Sequence, residues 1–132
     1  MVKKYFKKII AQSPQDLQVI SACCEGGKIK IEEIKYLPKN KIFLFLIERN
    51  AREKENPKEK VKSIVKFEYI EKSVSKNIDR TKVNSFVELT AINLFKNNKN
   101  YEITLLFSDN GIITLTAEIV EAVLEDQNIN ND

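Results

Sequence analysis

Only three of the 22 basic side chains are arginines, and two of these, Arg49 and Arg80, are the residues whose chemistry could grip an anionic ligand. A guanidinium offers a planar fork of donors that matches carboxylates and phosphates. Asp79 precedes Arg80, so Arg49, Asp79 and Arg80 together form the candidate set for binding a ligand or partner, or for catalysis. Asp79 and Arg80 fit a turn cap and a surface ion pair equally well, and such a pair contributes little. The chain contains no histidine. That removes the commonest proton shuttle near neutral pH, the commonest metal ligand, and imidazole as activator of a nucleophile. No catalytic residue is assigned, and the balance is against an enzyme.

A second candidate set is basic. Lys3, Lys4, Lys7 and Lys8 lie close to one end of the chain and Lys28 and Lys30 further along, and they would make one edge if the first strand lay beside the following hairpin. Such an edge could hold nucleic acid by counterion release. Lysine is abundant throughout the chain, however, and the formal charge is only +3, so nucleic acid is disfavoured. Cys23 and Cys24 are helical neighbours, poorly placed for a disulfide and without a base, and at least one should pack in the interior. Glu32 and Glu33 would alternate across a strand and stay solvated. With two cysteines and no histidine no metal site is expected, and the three glycines make no phosphate cradle. No cofactor is implied.

These residues need elements to position them. Ser13, Pro14 and Asp16 form a helix start, and Leu17, Ile20 and Cys24 recur at helical spacing before Gly26-Gly27, which predicts a helix from Pro14 to Cys24. A strand over residues 4–11 precedes it. Lys28–Leu37 and Ile42–Ile47 predict a hairpin around Pro38-Lys39-Asn40. Its first arm alternates, with a one-residue bulge near Glu32-Glu33 needed to keep Ile29, Ile31, Ile34 and Tyr36 on one face. Its second arm is six apolar residues long, so cover on both faces is expected, with the helix as one cover.

Residues 50–62 read as a solvated loop, 61–74 as one long strand, and 86–95 as another. Tyr101–Phe107 and Ile113–Ile119 present odd-numbered apolar rows. A three-residue loop Asp109-Asn110-Gly111, with Gly111 left-handed, would pair Phe107 with Ile113 and Leu105 with Leu115. Residues 118–125 suit either a continuing strand or a short terminal helix, and 127–132 a frayed tail.

The fold class expected is therefore α+β and mostly β. It is a single domain over residues 1–126, built on an antiparallel curved sheet or partly open barrel in meander order, with one short helix after the first strand and a C-terminal helix as an option. Strand order alone suggests a pleckstrin-homology-like analogy. No stretch is long and apolar enough for a signal peptide or a membrane span, which places the chain in the cytoplasm without membrane contact.

Four motifs in order carry a resemblance. Gln15–Glu25, Tyr36-Leu37-Pro38-Lys39, Asn77-Ile78-Asp79-Arg80 and the run Leu105–Asp126 resemble the DUF2948 family of uncharacterised bacterial proteins across almost the whole chain. The sequence departs from the family pattern after Arg49, at Asn50-Ala51-Arg52. The resemblance implies one complete domain and no assigned activity. The expectation that remains is a non-catalytic module that binds another protein, as a monomer or homodimer.

Overall fold

The computed structural model describes residues 7–50 and 60–127. The remainder of the expected first strand, Lys3 and Lys4, most of the expected 50–62 loop and the last five residues lie outside them. The elements are β1 (Lys8–Ala11), α1 (Pro14–Cys24), β2 (Lys28–Leu37), β3 (Ile42–Asn50), β4 (Lys60–Phe67), β5 (Ile70–Lys76), β6 (Phe86–Asn97), β7 (Asn100–Phe107), β8 (Ile112–Ala117) and β9 (Ala122–Asp126). All nine strands form one antiparallel sheet in the order β1-β9-β4-β3-β2-β6-β7-β8-β5. It is an open sheet, not closed into a barrel. Among the described residues no helix is long and apolar enough to cross a membrane.

The helix forms as its ends dictate. The Ser13 hydroxyl accepts from the Asp16 amide at 3.2 Å, and Gly26 stops the helix at φ 80, where a Cβ would be strained. A Cβ on Gly27 would sit 2.9 Å from the Cys24 carbonyl oxygen and closer still to Ile47, so the chain can turn tightly from α1 into β2 only with glycine there. Leu17, Ile20 and Cys24 are buried in the same core as Phe43, Phe45 and Ile47 of β3, and α1 also packs on β6 and β1. The rings of Phe43, Phe45 and Phe67 meet at centroid distances of 6.3 to 6.4 Å.

Curvature follows from connection lengths. β4 and β5 stand six places apart in the sheet order, which in a flat sheet would be roughly 29 Å. Only Glu68 and Tyr69 link them, and three Cα steps reach at most about 11 Å. The sheet must therefore curl so that β5 returns to β3, and the Ile70 amide donates to the Lys41 carbonyl at 2.9 Å. Tyr69 takes φ 60 at this corner. The long strand expected over 61–74 is thus two strands broken at the corner, and the order is interleaved rather than a meander.

Other expectations are corrected in the same way. Residues 122–126 are strand β9, inserted between β1 and β4, so there is no terminal helix among the described residues. In the β2–β3 pair five residue steps from Ile29 to Ile34 oppose two from Ile47 to Phe45, so three extra residues are accommodated instead of one. The freed backbone is used elsewhere, since the Ile31 and Glu32 amides donate to Ser85 and Val83. The β7–β8 rows do share a face, but Leu105 pairs with Ile113 and Ile103 with Leu115. The turn is Ser108–Asn110, with Asp109 and Asn110 left-handed and Gly111 extended at φ −72. Finally, among the described residues β3 is fully covered on one face only. Phe43, Phe45, Ile47 and Arg49 are buried on the concave face beside α1, while Ile42, Leu44 and Leu46 remain half-buried on the outer one.

Candidate functional site

Arg49 closes the inward row of β3, Ser63 lies inward on β4 below Val65, and Asp126 lies inward on β9 below Leu124. Alternation alone brings the three together at one end of the core. Their exposures are 1%, 0% and 5%. Arg49 Nη2 donates to both Asp126 oxygens, at 2.9 and 3.1 Å, and its Nε donates to Ser63 Oγ at 3.0 Å. Ser63 Oγ donates to Asp126 Oδ1 at 2.7 Å. The Lys7 amide donates to Asp126 Oδ2 at 2.9 Å, and the Asp126 amide returns a bond to the Lys7 carbonyl.

This is a charge-assisted network, with one guanidinium nitrogen shared between both carboxylate oxygens, that clasps β3, β4, β9 and the start of β1. Its carboxylate is saturated by donors and closed to solvent, so it serves neither as a base nor as a ligand for a small molecule. Cys24 lies in the same region. Burial, the largest influence, pushes its thiol up to about 12, with Cys23 adding to the rise and Arg49 opposing it. It packs, and no thiolate forms there near neutral pH.

Arg49 is not joined by Asp79 and Arg80. Those two occupy the exposed connection between β5 and β6. Asp79 Oδ1 accepts from the Thr81 amide at 3.0 Å and from the Thr81 hydroxyl, and these bonds hold its carboxyl below the usual range. Arg80 Nη2 donates to the Ile34 carbonyl at 2.7 Å, beside the irregular part of β2. Ile34 pairs with Phe45, four residues along β3 from Arg49, or roughly 13 Å. Asp79 therefore caps a turn and Arg80 props a bulge.

The basic set is divided too. Lys8 is on β1 and Lys28 and Lys30 are on β2, with β9, β4 and β3 between them, a spread of about 19 Å. Lys8 faces Glu125 at 3.6 Å, Lys30 faces Glu32 at 2.9 Å, and the Lys7 backbone belongs to the Asp126 clasp. Lys3 and Lys4 lie outside the described residues. No single basic edge forms from the members that are described, because β1 does not lie beside the hairpin. Among the described residues no group of three or more histidine, cysteine or acidic side chains is arranged to hold a metal ion.

Of the three polar residues buried among the described ones, Ser63 and Asp126 were missed by sequence reasoning. The signal was parity, since each polar residue continues an inward apolar row. It became readable only once 122–126 was known to be a strand.

Fold and charged centre together define the class: an open antiparallel α+β domain in which the ionic cluster buried among the described residues is structural. The chain belongs to the family described as "Protein of unknown function (DUF2948)", whose sequence profile matches residues 7–131. No curated protein matches it. Among solved structures, the crystal structure of an uncharacterized protein from Neisseria gonorrhoeae is similar over 90% of this chain and 97% of that one, with a TM-score of 0.46 and 16% identity.

Proposed function

We propose that the protein is a non-catalytic interaction module of the cytoplasm that takes an extended segment of another protein along the free edge of β5. The observation that carries this reading is the edge itself. β5 ends the sheet, pairs only with β8, and beyond the Ile70 amide makes no backbone bond on its other side among the described residues. Six residues of backbone, Glu71–Lys76, are open to strand addition.

Side chains set the partner's chemistry. Lys72, Val74 and Lys76 share one face of β5, and Val74 is 49% exposed. Lysines on an edge discourage a second identical edge by like-charge repulsion. They favour a strand that brings carboxylates to flank an apolar residue. In this use the curved sheet is a platform, as in the pleckstrin-homology-like analogy. The two free cysteines suit a reducing compartment.

The test is capture from a lysate of the source cells with the wild type and with a Lys72→Glu/Lys76→Glu variant, read by mass spectrometry. A partner enriched reproducibly by the wild type and lost by the variant supports the reading. No reproducible enrichment, or enrichment indifferent to charge reversal, overturns it.

A further inference from the structure

The convex face of the sheet has no second layer among the described residues, since α1 packs on the concave side and every other long element is a strand of the sheet. A crest runs along β3 on this face. Leu44 and Leu46 point outward there, Ile64 of β4 stands opposite Leu46, and all three are half-buried. Lysines frame them on both sides. Leu44 lies between Lys66 of β4 and Lys35 of β2, and Glu48 lies between Lys62 and Lys28. Cross-strand partners share a face, so the four lysines mark the corners of a frame about 10 Å wide, two strand spacings, and about 14 Å long, four residue steps.

The frame carries uncompensated charge. On the same face Lys8, Lys30 and Lys60 are each held by a carboxylate at 2.9 to 3.8 Å, whereas the four corner lysines form no ion pair among the described residues. Glu48, the acid within the frame, is taken by Lys60. An apolar ridge between two unpaired cationic rows calls for a partner with an apolar stripe flanked on both sides by carboxylates. Leu44, Leu46 and Ile64 offer no ring on which a base could stack, so nucleic acid would use the lysines and waste the ridge.

We propose that this crest binds an acidic amphipathic α-helix of another protein, laid along β3 with its apolar stripe on Leu44, Leu46 and Ile64 and its carboxylates against Lys28, Lys35, Lys62 and Lys66. A helix is about 10 Å across, the spacing of the two lysine rows, and four helical residues rise about 6 Å, close to the roughly 7 Å between Leu44 and Leu46. The contact spans three adjacent strands only. Helices lie in the same way on the convex outside of closed β-barrels, so the curl of the sheet does not separate its parts. β5 takes no part, and the crest is independent of the partner proposed for that edge.

The test uses the full chain and two stapled helical peptides of about fourteen residues, roughly 21 Å long. Both carry leucine at every third or fourth position, one flanked by glutamates and the other by lysines. Fluorescence anisotropy should show the glutamate peptide binding in the micromolar range and weakening as salt is added, with the lysine peptide at least tenfold weaker. Amide chemical shifts should move on β2, β3 and β4. Lys35→Glu/Lys66→Glu should cut the preference for the glutamate peptide at least tenfold, and Leu46→Gln should weaken both peptides, each variant keeping a thermal midpoint close to that of the wild type. A glutamate peptide that does not bind, that binds no better than the lysine peptide, or that shifts residues away from these strands overturns the proposal. So do crest shifts produced by phosphatidylserine vesicles or a single-stranded oligonucleotide while the glutamate peptide stays inert.

Discussion

Two ion pairs join residues 77 apart in this chain, Arg49 with Asp126 at 2.9 Å and Lys41 with Glu118 at 2.8 Å. Each links β3, or the turn before it, to the last part of the chain. Their settings are opposite. The first pair has side-chain exposures of 0% and 0%, the second 51% and 42%. Length is therefore a poor guide to what a pair contributes. In the first, neither charge can be rehydrated if its partner is lost; in the second, water replaces the partner at once.

The largest expected effect tests that contrast at its buried end. Arg49→Met leaves the buried Asp126 carboxylate without a counter-charge, held among the described residues only by the Ser63 hydroxyl and the Lys7 amide, and should cost about 3 to 5 kcal/mol, read from urea denaturation. Adding Asp126→Leu removes the stranded charge and should recover most of the loss. If Arg49→Met shifts the midpoint no more than an exposed lysine variant does, the two pairs are energetically alike and the contrast fails.

Leu17→Ala probes the same core from the helix side. Leu17 is 1% exposed, and its truncation should cost about 2 to 5 kcal/mol through the cavity it leaves. An unchanged midpoint would mean that α1 is not part of the cooperative core. Ser63→Ala is the intermediate case. It deletes an acceptor for Arg49 and a donor to Asp126 without unpairing the charges, so about 1 to 3 kcal/mol is expected. A cost equal to that of Arg49→Met would place the weight of the cluster on the hydroxyl.

The helix and the buried cluster were unequally legible in the sequence. The helix could be read because its signals are local: a capping serine, a proline in the first turn, and a left-handed glycine at the end. The parity of β7 and β8 was readable as well, since one-residue slips would expose whole rows. Their register slid by two residues because Asp109 and Asn110, which tolerate the left-handed region, take it in place of Gly111. Gly111 instead sits extended, where a Cβ would lie 3.1 Å from Ile78.

The Arg49 cluster was out of reach for a different reason. It depends on β9 lying between β1 and β4, a non-local pairing that no short connection announces. Ile119, Val120, Val123 and Leu124 carry helical spacing by accident, and Asp126 at the end of a five-residue strand looks like a surface acid. What seemed a ligand-binding arginine is thus a core residue. The same alternation that hid it explains it, since Arg49 follows Phe43, Phe45 and Ile47 inward.

The smallest effect belongs to the exposed corner, and its sign depends on pH. A hydrogen bond from Lys41, then one from Glu71, holds the Glu118 carboxyl below its usual range, while the hydrogen bond to Glu118 raises Glu71 above its own. Glu118, depressed on folding, stabilises above the ordinary glutamate range and loses that contribution as pH falls through its lowered value. Glu71, raised on folding, does the reverse: its contribution is complete at acid pH and disappears as pH rises through its raised value. The two contributions overlap between those limits, so the corner is expected to be tightest there and to loosen as pH rises through the raised Glu71 value. Lys41 is raised by Glu118 and adds its share until strongly alkaline pH. Glu71→Gln keeps a donor facing Glu118 at every pH. Its thermal midpoint should match the wild type in weak acid and exceed it slightly at neutral pH, with the gap shrinking as salt is added, since these groups are open to solvent. Midpoint curves that run parallel across that interval would mean that the corner contributes nothing that depends on pH.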